Sequence, residues 1–198
     1  MPTTPLQVRQ LAVARGDRNV VEGLDLAVAP GEILHVRGRN GAGKTSLLEV
    51  LCGLRQPASG TVEGQPEPAQ RHWIGHKNAL NPSLSPGENL RFWCALNGHA
   101  AAGVDQALER VGLKALRHRP CGNLSTGQRR RAALARLLAV PRPWWFLDEP
   151  LAGLDHAGIE LLSGLFEGHL RDGGGAVITS HQPLPETLGG LRTLELKP

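Results

Sequence analysis

The sequence contains no tyrosine, three phenylalanines and only three cysteines in 198 residues. Cys52, Cys94 and Cys121 are odd in number and widely spaced. They match neither a C-x-x-C zinc or redox pair nor a C-x-x-C-H haem attachment, so buried reduced thiols in a cytosolic protein are expected. No apolar run approaches the roughly 18–20 residues that a bilayer crossing requires. The opening Met1-Pro2-Thr3-Thr4-Pro5 lacks the basic stretch and apolar core of a secretory signal. The expectation is a soluble, cytoplasmic chain that depends on other chains for any membrane span. Lysine occurs only at Lys44, Lys77, Lys114 and Lys197, so arginine carries most of the formal charge of +4. That excess is too small to argue for nucleic acid. It fits a GC-rich coding sequence, a phosphate-bearing ligand or an anionic membrane surface. Internal repeats and low-complexity tracts are also missing, and the stretch 64–70 is too short to separate domains. With 40% hydrophobic residues, the chain suits one domain with a real core.

What is present reads as alternating strands and helices. Leu6 to Ala14 and Leu24 to Val28 alternate, and Glu32 to Val36 is a short strand entering a glycine-rich loop. A helix follows from Gly43, with Leu47, Leu48, Leu51 and Leu54 at helical spacing. Pro57 to Gly60 reads as a turn, and Trp73 to Gly75 as another short strand. Ser85-Pro86-Gly87-Glu88 opens a helix with a serine cap, a proline at the first position and a glutamate at the third. Val104 to Leu113 and Gly127 to Leu138 are further helices. Trp144 to Leu147 and Ala176 to Thr179 are fully apolar strands, as expected in a sheet covered on both faces. A helix from Asp155 to Leu170 lies between them, and Leu191 to Leu196 reads as an edge strand. This alternation indicates an α/β sheet, with an all-helical insertion over about 79–140.

Three stretches carry chemistry. Gly38-Arg39-Asn40-Gly41-Ala42-Gly43-Lys44-Thr45, followed by Ser46, fits G-x-x-x-x-G-K-[ST] between a strand and a helix. Its glycines let backbone N–H groups converge on phosphate oxygens at a helix N-terminus. Lys44 would reach the β- and γ-phosphates, and Thr45 would ligate Mg²⁺. In the second stretch, the strand Trp144-Trp145-Phe146-Leu147 ends in Asp148-Glu149. Asp148 would hold Mg²⁺, and Glu149 would orient and deprotonate the attacking water. The third is Leu124-Ser125-Thr126-Gly127-Gln128, which opens a helix and offers N–H groups and a hydroxyl to an anion. In isolation its serine would be an ordinary cap, and the run Arg129-Arg130-Arg131 at least partly a solvated face.

Together these residues resemble the ATP-binding cassette (ABC) family over essentially the whole chain. The phosphate loop resembles its Walker A, Leu124 to Gln128 its LSGGQ signature with threonine replacing one glycine, and Phe146 to Pro150 its Walker B. Leu151-Ala152-Gly153-Leu154-Asp155 is similar to its D-loop, and Thr179-Ser180-His181-Gln182 to its switch-histidine segment. The resemblance implies a P-loop NTPase fold with a RecA-like core, an antiparallel β subdomain and the helical insertion. It implies ATP and Mg²⁺ as ligands, His181 on the γ-phosphate, and a homodimer. Each ATP would lie between the Walker A of one copy and Ser125, Gly127 and Gln128 of the other.

Two positions depart from the family. An aromatic residue ordinarily stacks on adenine, and Arg15 falls near that place; a guanidinium can also stack on a flat ring. A glutamine ordinarily precedes the insertion, and His76 followed by Lys77 stands there. Among family members, Trp73 to His76, Glu88 to Trp93, Ala133 to Leu137 and Ser180 to Leu184 resemble the ATPase subunits of the haem exporter of bacterial cytochrome c maturation. The implied location is peripheral, on the cytoplasmic face of the inner membrane, bound to integral membrane subunits. Trp73, Phe92 and Trp93 are candidates for that contact or for core packing. A different exporter and a soluble, non-transport ABC ATPase are the alternatives. No nucleic acid partner is expected. Nor is haem binding by this chain, whose His72, His76, His99 and His118 are scattered; a haem titration without a stoichiometric Soret shift is the expected result.

Overall fold

The computed structural model describes residues 4–185 and 188–196; Met1, Pro2 and Thr3 of the opening segment and Lys197 lie outside them. In chain order the strands are β1 (Leu6–Arg15), β2 (Arg18–Val28), β3 (Ile33–Gly38), β4 (Ser59–Glu63), β5 (Arg71–Ile74), β6 (Trp144–Asp148), β7 (Gly175–Thr179) and β8 (Leu191–Leu196). The α-helices are α1 (Lys44–Leu51), α2 (Pro86–Leu96), α3 (Val104–Arg110), α4 (Thr126–Ala139) and α5 (His156–Arg171). They form two compact units: one comprises Ile74–Arg142 and Leu151–Leu162, and the other takes the remaining described chain.

The larger unit holds two sheets, ordered β2-β1-β4 and β5-β6-β7-β3-β8. In the first, β1 pairs antiparallel with both neighbours. In the second, β6, β7, β3 and β8 run parallel. All residues of β6 and β7 are buried, which is why those strands read as unbroken apolar runs. One core joins the two sheets and α1, built on Leu6, Leu11, Leu34, Leu47, Leu51, Phe146 and Val177. The register matters for chemistry. Thr179 pairs with both Asp148 and Val36, so β6 and β7 finish level at their C-terminal ends and β3 carries on beside them to Gly38. In open parallel sheets that edge is where ligands bind.

The smaller unit packs α2, α3 and α4 around Leu90, Leu108, Val111, Leu113, Ala132 and Ala135. α2 starts as its sequence dictates. The Ser85 side chain accepts from the Glu88 N–H at 3.3 Å, and the Ser85 N–H donates to the Glu88 carboxylate at 2.8 Å. α3 stops at Arg110 rather than Leu113. Gly112 takes φ +69°, and the Leu113 N–H reaches back to the Leu108 carbonyl at 2.8 Å. A left-handed glycine with that back-bond is a helix terminator.

Two further elements differ from the sequence reading. β2 begins at Arg18, well before Leu24, because pairing with β1 holds its polar half extended. Ser59-Gly60 belongs to β4 instead of a turn. Gly60 faces a bulge at Gln10 (φ +46°), and a Cβ on Gly60 would stand 2.4 Å from the Gln10 carbonyl oxygen. Glycine in a strand marks such a close backbone approach.

All three cysteines are buried and none forms a disulfide. Burial pushes the Cys52 thiol up to about 12, which leaves it unreactive. In β6, the Trp145 ring stacks on His169 at 3.8 Å and 10°, and His169 Nε2 lies 3.2 Å from the Gly175 carbonyl. Burial lowers the His169 pKa from 6.5 to about 4. Between those values the unfolded chain binds a proton that the folded chain refuses, so this stabilisation is complete above pH 6.5 and is lost as pH falls toward 4. The urea midpoint of the wild type should therefore drop across that window by more than that of His169→Phe. Parallel curves would remove His169 from acid sensitivity.

Candidate active site

β3 ends at Gly38, where the chain must turn sharply against β8. Gly38 has φ +145°, and a Cβ there would sit 2.9 Å from the Leu196 carbonyl oxygen. The loop then runs exposed through Arg39, Asn40 and Gly41 and dips inward at Ala42, Gly43 and Lys44. Gly43 has φ +93°, and its hypothetical Cβ would stand 2.7 Å from Val20 Cγ2. Val20, unflagged in the sequence, thus packs β2 directly against the loop backbone. The Lys44 ammonium curls over the loop and donates to the carbonyls of Gly38 at 2.9 Å and Arg39 at 3.2 Å. α1 has no acidic residue in its first turn, so nothing there offsets the positive end of its dipole. Ser46 is buried in the same turn. This is a concave cationic cradle of the kind that takes phosphate.

The level strand ends bring the carboxylates to it. Asp148 is buried; both its oxygens stand 3.1 Å from the Thr45 hydroxyl. The Thr179 hydroxyl donates to Asp148 at 2.6 Å and accepts the Glu149 N–H at 3.0 Å. Glu149 takes φ +51°, a backbone conformation that costs a non-glycine residue about 1–3 kcal/mol and is typical of functional sites. Its N–H also donates to the Thr179 carbonyl at 3.1 Å. One Glu149 carboxylate oxygen, Oε2, accepts the His181 N–H at 3.2 Å. The other, Oε1, is buried with no hydrogen-bond partner among the described residues, and faces His181 Nε2 at 3.5 Å. Thr179 is the residue whose role the sequence concealed: a threonine closing an apolar strand looks like one more β-former.

A hydroxyl and a carboxylate at the Thr45–Asp148 separation are hard oxygen donors, the kind Mg²⁺ takes. Among the described residues no group of three His, Cys, Asp or Glu side chains is placed to hold a metal. Mg²⁺ is ordinarily held by one or two carboxylates together with substrate phosphates rather than by a full protein cage. The residues present therefore fit that ion.

The smaller unit holds Ser125, Gly127 and Gln128. Ser125 caps α4: its hydroxyl oxygen accepts the Gln128 N–H at 3.2 Å, and its N–H donates to the Gln128 side chain at 2.9 Å. Gly127 admits no larger residue without movement, since a Cβ would lie 2.6 Å from the Gly153 carbonyl oxygen. Within the run read as at least partly solvated, Arg130 is buried; its guanidinium donates to the Gly75 carbonyl at 3.0 Å and to the Asn78 side chain at 2.9 Å. It thereby pins both sides of His76 and Lys77, which are exposed. Trp73 and Trp93 are half-buried and pack on the cores of their own units. Phe92 is 64% and Leu96 67% exposed, one turn apart on α2. Arg15 is exposed where β1 turns into β2.

Residues 21–152 match the family model described as ABC transporter. The chain is 46% identical to the cytochrome c biogenesis ATP-binding export protein CcmA of Methylococcus capsulatus, covering 99% of this chain and 100% of that protein. It is 43% identical to the protein of the same name from Pseudomonas savastanoi, covering 99% and 97%. Among solved structures, an ABC transporter ATP-binding protein candidate from Pyrococcus furiosus superposes with a TM-score of 0.83 at 24% identity, over 96% of this chain and 98% of that one. The last likeness speaks for the fold alone. No helix among the described residues is long and apolar enough to cross a membrane. On its phosphate cradle, its level strand ends and these likenesses, the chain belongs to the ABC transporter family of ATP-binding proteins, in the group of CcmA-type export ATPases.

Proposed function

We propose that this chain is the ATP-hydrolysing subunit of a membrane exporter that moves haem for cytochrome c maturation. The observation that carries the reading is the continuous polar chain Thr45–Asp148–Thr179–Glu149–His181 beside the Lys44 cradle. Lys44 and the loop N–H groups bind the β- and γ-phosphates. Thr45 and Asp148 would hold Mg²⁺, which would supply charge neutralisation at those phosphates. Glu149 aligns a water with its buried Oε1 and takes its proton as the bond to the γ-phosphate forms. His181 contacts the γ-phosphate, and Arg15 lies toward the base.

Two copies act together, with Ser125, Gly127 and Gln128 of each completing the site of the other. The γ-phosphate touches both copies, so ATP favours the closed dimer by its greater affinity for it. Hydrolysis removes that link. The dimer sits on the cytoplasmic face of the inner membrane, bound to integral subunits. Phe92 and Leu96 form the apolar contact for them. The double variant Phe92→Ser/Leu96→Ser should lose co-purification with the membrane subunits while the isolated chain binds ATP as before. Retained co-purification would move the contact elsewhere.

The test of the whole reading is reconstitution of the chain with its membrane subunits in vesicles. ATP hydrolysis coupled to haem movement is the expected result. Hydrolysis coupled to another cargo would leave the ATPase in place and remove haem.

A further inference from the structure

β7 is apolar until its last residue. Ala176, Val177 and Ile178 are fully buried, and so is Thr179, at 0% exposure. Valine would have the same shape there and would bury no hydroxyl. A hydroxyl in such a place is costly unless its hydrogen bonds are made, and this one makes two. It donates to Asp148 Oδ1 at 2.6 Å and accepts the Glu149 N–H at 3.0 Å.

The polarity of both bonds is fixed. A carboxylate accepts and a peptide N–H donates, so the hydroxyl cannot turn round and keep both partners. Those partners belong to consecutive residues with different duties. Asp148 Oδ1 also meets the Thr45 hydroxyl at 3.1 Å, so hydroxyls from α1 and β7 together orient that carboxylate. Glu149 stands at φ +51°, a strained conformation that persists only where its surroundings hold it. Its N–H has a second acceptor in the Thr179 carbonyl at 3.1 Å. Removing the hydroxyl therefore orphans no backbone group. It releases the Asp148 carboxylate from β7 and takes away one of the two bonds on the Glu149 N–H.

We propose that Thr179 is a positioning residue for hydrolysis: its hydroxyl locks the Asp148 carboxylate and the Glu149 backbone into one unit, and so fixes where the base stands relative to the metal-holding oxygens. This rests on the roles given above to Asp148 and Glu149. Thr179 acts only through these two neighbours; it neither binds phosphate nor moves a proton.

The test compares Thr179→Val and Thr179→Ser in the full complex, with Glu149→Gln as reference. Valine keeps the β-branched shape and loses the hydroxyl; serine keeps the hydroxyl and loses a buried methyl. Thr179→Val should lower kcat about tenfold, the scale of one lost hydrogen bond to a charged group. KM for ATP should hold, because the Lys44 cradle is untouched. Thr179→Ser should keep the wild-type kcat even though the lost methyl lowers its urea midpoint. A side chain that served packing alone would give the reverse order, with serine slow and valine fast. If Glu149→Gln itself hydrolyses normally, the functional reading falls. If it is slow but Thr179→Val matches the wild type, or the valine and serine variants are equally slow, the positioning role falls alone. Should the valine variant not fold, Thr179→Cys takes its place, since it differs from the serine variant only in a thiol that is a weak donor and acceptor. It must be slow where serine is fast, and equal rates overturn the proposal.

Discussion

Glu149→Gln should slow ATP hydrolysis by about 10²–10⁴-fold, the usual weight of a general base, while ATP binding persists. The amide keeps the size and polarity of the carboxylate but cannot take a proton from water. The backbone that presents it is held independently of the side chain, by bonds from the Glu149 N–H to the Thr179 carbonyl and hydroxyl. The cradle around Lys44 is untouched by the change. ATP should therefore stay bound, and the two copies should accumulate as a stable ATP-dependent dimer, which size-exclusion chromatography reads directly. Turnover within a few-fold of the wild type would remove Glu149 from the proton transfer.

Lys44→Ala should have the opposite signature, with loss appearing in binding. In the present geometry the ammonium donates to the Gly38 and Arg39 carbonyls at 2.9 and 3.2 Å, so it is oriented over the loop before any phosphate arrives. A charge-assisted hydrogen bond contributes about 1.5–3 kcal/mol, which corresponds to roughly a ten- to hundredfold weaker Kd for ATP. Titration calorimetry would measure it. Lys44→Arg should not restore affinity, because a planar fork cannot occupy the place of a compact ammonium held against the loop carbonyls. An unchanged Kd in the alanine variant would count against the cradle.

Much of this site was legible in one dimension. The phosphate loop, Asp148-Glu149 at the end of an apolar strand and His181 after another are local patterns, and each depends on a residue type that few other roles require. The buried strands were legible for the same reason. β6 and β7 are apolar on both faces, so their period and length carry the assignment without knowledge of neighbours. Elements that owe their form to a distant partner were not. Ser59-Gly60 has turn chemistry and becomes a strand only because β1 approaches it at Gln10. Arg130 stands in a run that reads as at least partly solvated, and is buried because the Gly75 carbonyl and Asn78 meet it 55 and 52 residues away in sequence.

The sequence by itself determined the family, the parallel apolar strands, the cradle and the two carboxylates, because glycine tolerance, charge and hydrophobic period are properties of short segments. Only the tertiary structure decided what surrounds them. It set the level ends of β6 and β7 that bring Asp148 to Thr45, the hydroxyl of Thr179 as the link between Asp148 and Glu149, and Val20 against Gly43. These are hydrogen bonds and close approaches between strands far apart in the chain. Their geometry arises from sheet register, which no local window of residues contains.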